Sequence, residues 1–280
     1  MEIEKLYQFI WAKKPCQIHN SYIRPIDRKS EWTFYDPFEL LVNENEKILY
    51  LKFAALTTHE DILQFISEYG FLGTHNKFNK RFNVFHTEKG EHLYELVEDI
   101  EREVRRMLLL VRVWEGLTLD NKNVDELEND LKELELLLIN QDPNFTRSFF
   151  GEGESANSSL EWIYPFNVAA RAISMEVNRQ LAGISNGIEW SWGGNRFYSK
   201  YIPDTLLTAL YVMFQQDLIR GAKIKKCKNI TCKEYFKIYG KDDRKIYCNK
   251  TCASQQMQRE YRRRKKVEKE ENKHAQEKRK

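Results

Sequence analysis

Four of the chain's five cysteines, Cys227, Cys232, Cys248 and Cys252, fall within 26 of its 280 residues. Their spacing is C-x4-C-x15-C-x3-C. Two close pairs let two tight turns each offer two sulfurs, and four thiolates suit a tetrahedral zinc ion. The x4 and x3 spacings differ from the CxxC pattern of dithiol redox sites. An iron–sulfur cluster or a catalytic zinc is the remaining alternative, although a catalytic zinc keeps an open fourth position that a fourth cysteine would close. The spacer suits a hairpin: residues 234–239 read as one strand, 240–243 as a turn and 244–247 as the returning strand. After Cys252 the stretch ASQQMQREYRRRKK has no Gly or Pro and reads as helix. The order knuckle, hairpin, knuckle, helix is that of a treble-clef-like zinc finger. A unit so small needs its metal to fold, and such metals supply on the order of 10 kcal/mol in isolated finger peptides.

Charge singles out the same region. Residues 223–280 hold 21 of the 45 Lys+Arg but 8 of the 42 Asp+Glu, a balance of +13 against −10 for the remainder. A basic end on an acidic body points to a polyanion-facing module on a carrier. On a helix from 253, Arg259, Arg262, Arg263 and Lys266 share one face, and Ala253, Met257 and Tyr261 share another that can pack on the hairpin. The cationic face spans about 10–12 Å of helix, close to the spacing of successive phosphates. Gln255 near the helix start is of the type that reads adenine, and Lys250 adds a further cation. Residues 267–280 alternate Glu and Lys and are expected as a frayed helix or disordered tail.

The body is long enough to bury a full core, and its 41% hydrophobic and 13% aromatic content is that of a folded domain. Residues 48–53 read as a strand. Thr57 or Thr58 caps a helix with Ile62, Phe65, Ile66 and Tyr69 on its buried stripe and Gly70 at its end. Helices follow over 91–115, 124–139, about 160–182 and 205–220. Residues 140–159, with Pro143, Gly151 and Gly153, read as a loop or boundary. The expected organisation is an N-terminal mixed domain over 1–150, a helical region over 151–222, the finger and basic helix over 223–266, and a charged tail over 267–280. The fold class is α+β with a predominantly helical body.

Nothing points to catalysis. The six histidines are scattered, and there is no Walker loop or dinucleotide fingerprint. The Glu/Arg run at 98–106 reads as solvated pairs. Trp190, Trp192, Arg196 and Tyr198 form a candidate small-ligand pocket, with a packed hairpin as the plainer reading. Cys16 reads as an ordinary buried thiol. No apolar run reaches the roughly 18 residues of a membrane span, and the N-terminus has no signal-peptide pattern, so a cytoplasmic protein is expected.

Residues 200–265 resemble the CGNR zinc-finger family, bacterial proteins regarded as transcriptional regulators. The likeness lies in the helix PDTLLTALYVMFQQDLIRG, the lead-in KIKKC, the asparagine of CKNITC, Phe236, Arg244, Tyr247 and the basic helix, with FISEYGFLG as a fainter match upstream. Cys252 is followed by Ala253, Ser254 and Gln255, where the family carries Gly, Asn and Arg. The resemblance implies a signal-responsive helical region ahead of a finger that binds double-stranded DNA. A small-molecule effector and a homodimer go with that role. Two rival readings are RNA binding and a protein-interaction adaptor docking an acidic partner.

Overall fold

The computed structural model describes residues 11–26, 31–38, 48–74, 85–87, 90–92, 94–118, 124–139, 164–182, 184–191, 196–232, 234–238 and 244–277. It divides into two compact units, Met1–Ala222 and Lys223–Lys280.

The first unit opens with strands β1 (Trp11–Lys13), β2 (Cys16–His19), β3 (Tyr22–Pro25) and β4 (Thr33–Tyr35). Then come helices α1 (Leu49–Ala54) and α2 (His59–Tyr69), strands β5 (Phe85–Thr87), β6 (Gly90–His92) and β7 (Glu95–Leu96), and helices α3 (Val97–Thr118), α4 (Val124–Ile139) and α5 (Tyr164–Leu181). Strands β8 (Ser185–Ser191) and β9 (Arg196–Ile202) and helix α6 (Leu206–Ile219) complete it. The described chain is mostly helical, and its strands form small antiparallel sheets such as β2-β3-β7. Asn20 and Ser21 link β2 to β3 with φ of 48° and 66°, the left-handed pair a two-residue hairpin turn requires.

Helix α3 is the centre of the core. Ile100, Met107, Leu110, Val111 and Val113 are fully buried along it, and it packs against α1, α2, α4 and α5. Helix α6 lies on α1 and α5, and Tyr50 Oη donates to Asp217 Oδ2 at 2.8 Å to tie α1 to α6. The core therefore draws helices from both sides of residue 150. The boundary expected over 140–159 lies outside the described residues.

Two sequence expectations change here. Residues 48–53, expected as a strand, make α1, whose Leu49, Tyr50, Leu51, Phe53 and Ala54 are all buried. An apolar run buried on every side carries no period by which to tell strand from helix. Helix α3 starts at Val97, not at 91, because 90–92 and 95–96 are taken by β6 and β7. Arg106, within a run that reads as solvated, is 1% exposed. It pairs with Glu103 of its own helix and with Glu176 of α5, which Arg179 also holds at 2.7 Å.

The second unit runs strand β10 (Lys223–Lys226), a cysteine knuckle, strand β11 (Tyr235–Ile238) and helix α7 (Lys250–Glu277). β11 pairs with β10, Lys226 facing Tyr235 and Lys223 facing Ile238. The returning strand expected over 244–247 is absent; the hairpin is closed by the basic lead-in instead, and the expected turn at 240–243 lies outside the described residues. The alternating burial of β10 and the apolar β11 make the better-matched pair. Helix α7 continues through 267–277, the helical of the two forms expected there, with i,i+4 pairs such as Lys266–Glu270 at 3.9 Å along its side.

Candidate metal centre

Cys227 and Cys232 flank a knuckle set between β10 and β11. The Cys227 N–H donates to Glu234 O at 2.9 Å, and the Cys232 N–H turns back to Asn229 O at 2.8 Å. The Lys228 N–H reaches Ile246 O at 3.0 Å, which brings the segment carrying Cys248 alongside. Cys252 sits in the first turn of α7. Its N–H donates to Asn249 Oδ1 at 2.8 Å, and Ala253 N–H bonds Asn249 O at 3.2 Å, so Asn249 is the N-cap.

The four sulfurs meet. All lie within 4.8 Å of one another, with Cys232 and Cys248 Sγ 3.7 Å apart and Cys248 and Cys252 Sγ 3.5 Å apart. A disulfide needs about 2.05 Å. Four sulfurs bonded at about 2.3 Å to one tetrahedral ion stand about 3.8 Å apart. The cluster can therefore hold a metal ion, and all four sequence-predicted ligands are in it. Phe236, Ile238 and Tyr247 pack around the sulfurs and dry them on one side.

The electrostatics favour a cation. Burial works against the Cys227 thiolate, yet the N–H groups of Cys248 and Asn229 aimed at its sulfur, together with the thiols of Cys248 and Cys232, outweigh it and lower the pKa. The Cys248 N–H lies 3.5 Å from that sulfur. Burial pushes Cys232 up to about 12 and Cys248 higher still, since each faces other sulfurs. Glu234 adds a carboxylate 3.5 Å from Cys232 Sγ and 3.9 Å from Cys248 Sγ. So many anionic groups in one place hold their charges together only around a positive ion.

The basic helix is turned differently from the expectation. Met257 and Tyr261, expected to pack on the hairpin, are each 60% exposed. The face that meets the knuckle carries Cys252, Gln255 and Arg259. Asn229, almost fully buried, is the joint: its Nδ2 donates to Gln255 Oε1 at 3.1 Å, and its Oδ1 accepts from Arg259 Nη1 at 2.5 Å. Arg259 Nη2 also donates to Thr231 Oγ1 at 2.8 Å. Two residues expected on nucleic acid, Gln255 and Arg259, are thus engaged with the knuckle. Lys250, Arg262, Arg263 and Lys266 are exposed. Arg262 and Arg263 have no hydrogen-bond or ion-pair partner among the described residues, and Lys266 has only the 3.9 Å pair with Glu270.

Asn229 and Asn249 carry structural weight the cysteine spacing does not reveal. Asn249 is readable as an N-cap one residue ahead of a long helix. Asn229 stands out in the sequence only through the family likeness, because its role depends on which face of α7 meets the knuckle.

In the first unit, Trp190 faces Phe197 and Glu189 faces Tyr198 across the β8–β9 hairpin, with Ser191 opposite Arg196. The plainer reading of that stretch, a hairpin, is what the backbone makes. The side chains of Trp190, Arg196 and Tyr198 and the whole of Trp192 lie outside what the structure describes. Cys16 is buried, its Sγ donating to Lys14 O at 3.2 Å; burial and then Glu95 push its pKa up to about 12, as befits an inert thiol. Among the described residues no helix is long and apolar enough to cross a membrane. Comparison of the chain with protein families, curated proteins and solved structures found no match to any of them.

Proposed function

We propose that the chain is a zinc-finger DNA-binding protein acting in transcription regulation, with residues 1–222 serving as sensor, dimerisation body or both. Zinc is assigned because four sulfur donors at tetrahedral spacing match its preference and leave no open position for chemistry. When bound, it would supply the charge that holds four thiolates together and the cross-link that a unit with so few apolar residues needs. Cys227, Cys232, Cys248 and Cys252 hold it. The first knuckle lies between the paired strands β10 and β11, and the helix bearing the fourth ligand follows them; we read this as a variant of the treble-clef-like finger. The resemblance to the CGNR zinc-finger family rests on the residues quoted above and supports the same role. A thiolate site of this kind persists in a reducing compartment, which fits the cytoplasm.

The observation that carries the DNA reading is the free half of α7. Residues 261–271 are all exposed, and Arg262 and Arg263 continue the row that Arg259 begins at the knuckle. One end of the helix is fixed and the other presents unpaired guanidinium groups, a geometry suited to phosphate. Duplex binding should therefore fall steeply with salt. Converting Arg262 and Arg263 to Ala should flatten the slope of log K against log salt by up to about two units, about one for each phosphate left without its arginine. An unchanged slope would remove those arginines from the interface. Binding of RNA in preference to duplex, or of neither, would move the function to the RNA or adaptor reading.

A further inference from the structure

We infer that the first knuckle is itself part of the nucleic-acid surface, with Ile230 as an apolar wedge that packs against a base step while the arginines of α7 hold the phosphates. This rests on the DNA reading above.

Ile230 lies at the tip of the Cys227–Cys232 turn and is 75% exposed, the most exposed large apolar side chain among the described residues. A small metal-stapled unit has few apolar groups to place, and this one is turned to solvent while Phe236 and Ile238 surround the sulfurs. Its neighbours fix its position. Asn229 and Thr231, on either side of it, are both bonded to Arg259 at 2.5 and 2.8 Å. Thr231 N–H and Oγ1 also donate to Asn229 Oδ1, at 3.2 and 3.1 Å, so the tip is rigid.

Because Arg259 reaches the tip, the tip stands on the side of α7 that carries Arg262, Arg263 and Lys266. These follow Arg259 at i+3, i+4 and i+7, about 5–10 Å further along the helix. Lys228, two residues before Ile230, is exposed as well. The result is one surface with an apolar point at one end and cations around and beyond it. A purely cationic face would serve phosphate alone. An isoleucine held rigidly among cations matches a partner that offers apolar base faces between anionic strands. An acidic protein offers the charge without a reason for the wedge.

The apolar and ionic contributions separate in salt. Ile230 displaces no counterion, so removing it changes affinity without changing the slope. The test uses the full chain with its metal and fluorescent duplex DNA of mixed sequence, titrated at several salt concentrations. Ile230→Ala should bind about tenfold more weakly with the wild-type salt slope. Ile230→Met, which keeps an apolar point, should stay within about threefold of wild type. Metal content equal to wild type in both variants confirms that the finger is intact, as expected for so exposed a position. If Ile230→Ala binds as tightly as wild type, the wedge is wrong and the arginine interface stands. If the wild-type chain does not bind duplex at all, both the wedge and the DNA reading fall.

Discussion

Glu95 shows how strongly one residue's surroundings can act against its ordinary chemistry. Burial lifts its pKa from the ordinary 4.5 to about 7, although N–H groups of Leu72, Thr74 and Gly73 all point at the carboxylate. Below about pH 4.5 both folded and unfolded chains hold the proton. As pH rises toward 7 the unfolded chain releases it first, so the stability Glu95 contributes is lost over that window. Glu95→Gln cannot titrate. The wild-type unfolding free energy minus that of the variant should fall between pH 4.5 and 7 in urea titrations, and a flat difference would contradict the assignment. Arg106 is a second buried charged residue, and here the carboxylates of Glu103 and Glu176 hold the charge in place. Its removal strands Glu176, 0% exposed, with Arg179 as the remaining cation. Arg106→Leu should cost roughly 3–5 kcal/mol in the same measurement; a cost below about 1 kcal/mol would show that Arg179 suffices. Neither residue is legible in the sequence. Arg106 sits in a run of Glu and Arg that reads as solvent-facing, and the helices packed around it, with Glu176 of α5 and Tyr211 of α6 against its side chain, bury it.

Elements with their own punctuation are legible. Helix α2 begins where Thr58 and Asp61 exchange capping bonds, and ends at Gly70. That glycine has φ of 94°, and a Cβ there would collide with the carbonyl oxygen of Ala12, so no other residue fits. Helix α4 is readable to its ends from leucine spacing alone. What escapes the sequence lacks a period or a local partner: α1, whose residues are nearly all buried, and the strand of the finger, chosen by pairing across the Cys227–Cys232 knuckle. The orientation of α7 escapes it for a different reason. Apolar spacing suggests Ala253, Met257 and Tyr261 as its inner face, but the Cys252 sulfur must join the cluster, and that ligand pins the helix face. Gln255 and Arg259 then reach the knuckle. The cap gives this a test at the level of the helix. Asn249→Ala leaves the four sulfurs in place but frees the Cys252 N–H, and should weaken metal binding about 10–100-fold in chelator competition. Asn249→Asp, which keeps the cap acceptor, should recover most of that affinity; equal affinity in all three would make the cap irrelevant to the site.

At the scale of the molecule, the chain consists of an acidic unit stabilised by a helical core and a basic unit stabilised around sulfur. The division at Ala222 coincides with the change in charge. The two units have different sources of stability. Burial along α3 and α6 needs no ligand, whereas the second unit's few apolar residues surround four thiols that repel one another when charged. Everything proposed for α7 depends on that cluster, because the cluster fixes the helix's first turn and Asn229 fixes its second. The central claim is therefore that one metal ion joins Cys227, Cys232, Cys248 and Cys252. Elemental analysis of the purified chain tests it directly. The account predicts one zinc per chain, absent from Cys248→Ser while the first unit stays folded. A wild-type chain with no bound metal, its four thiols freely alkylated under native conditions, would contradict it.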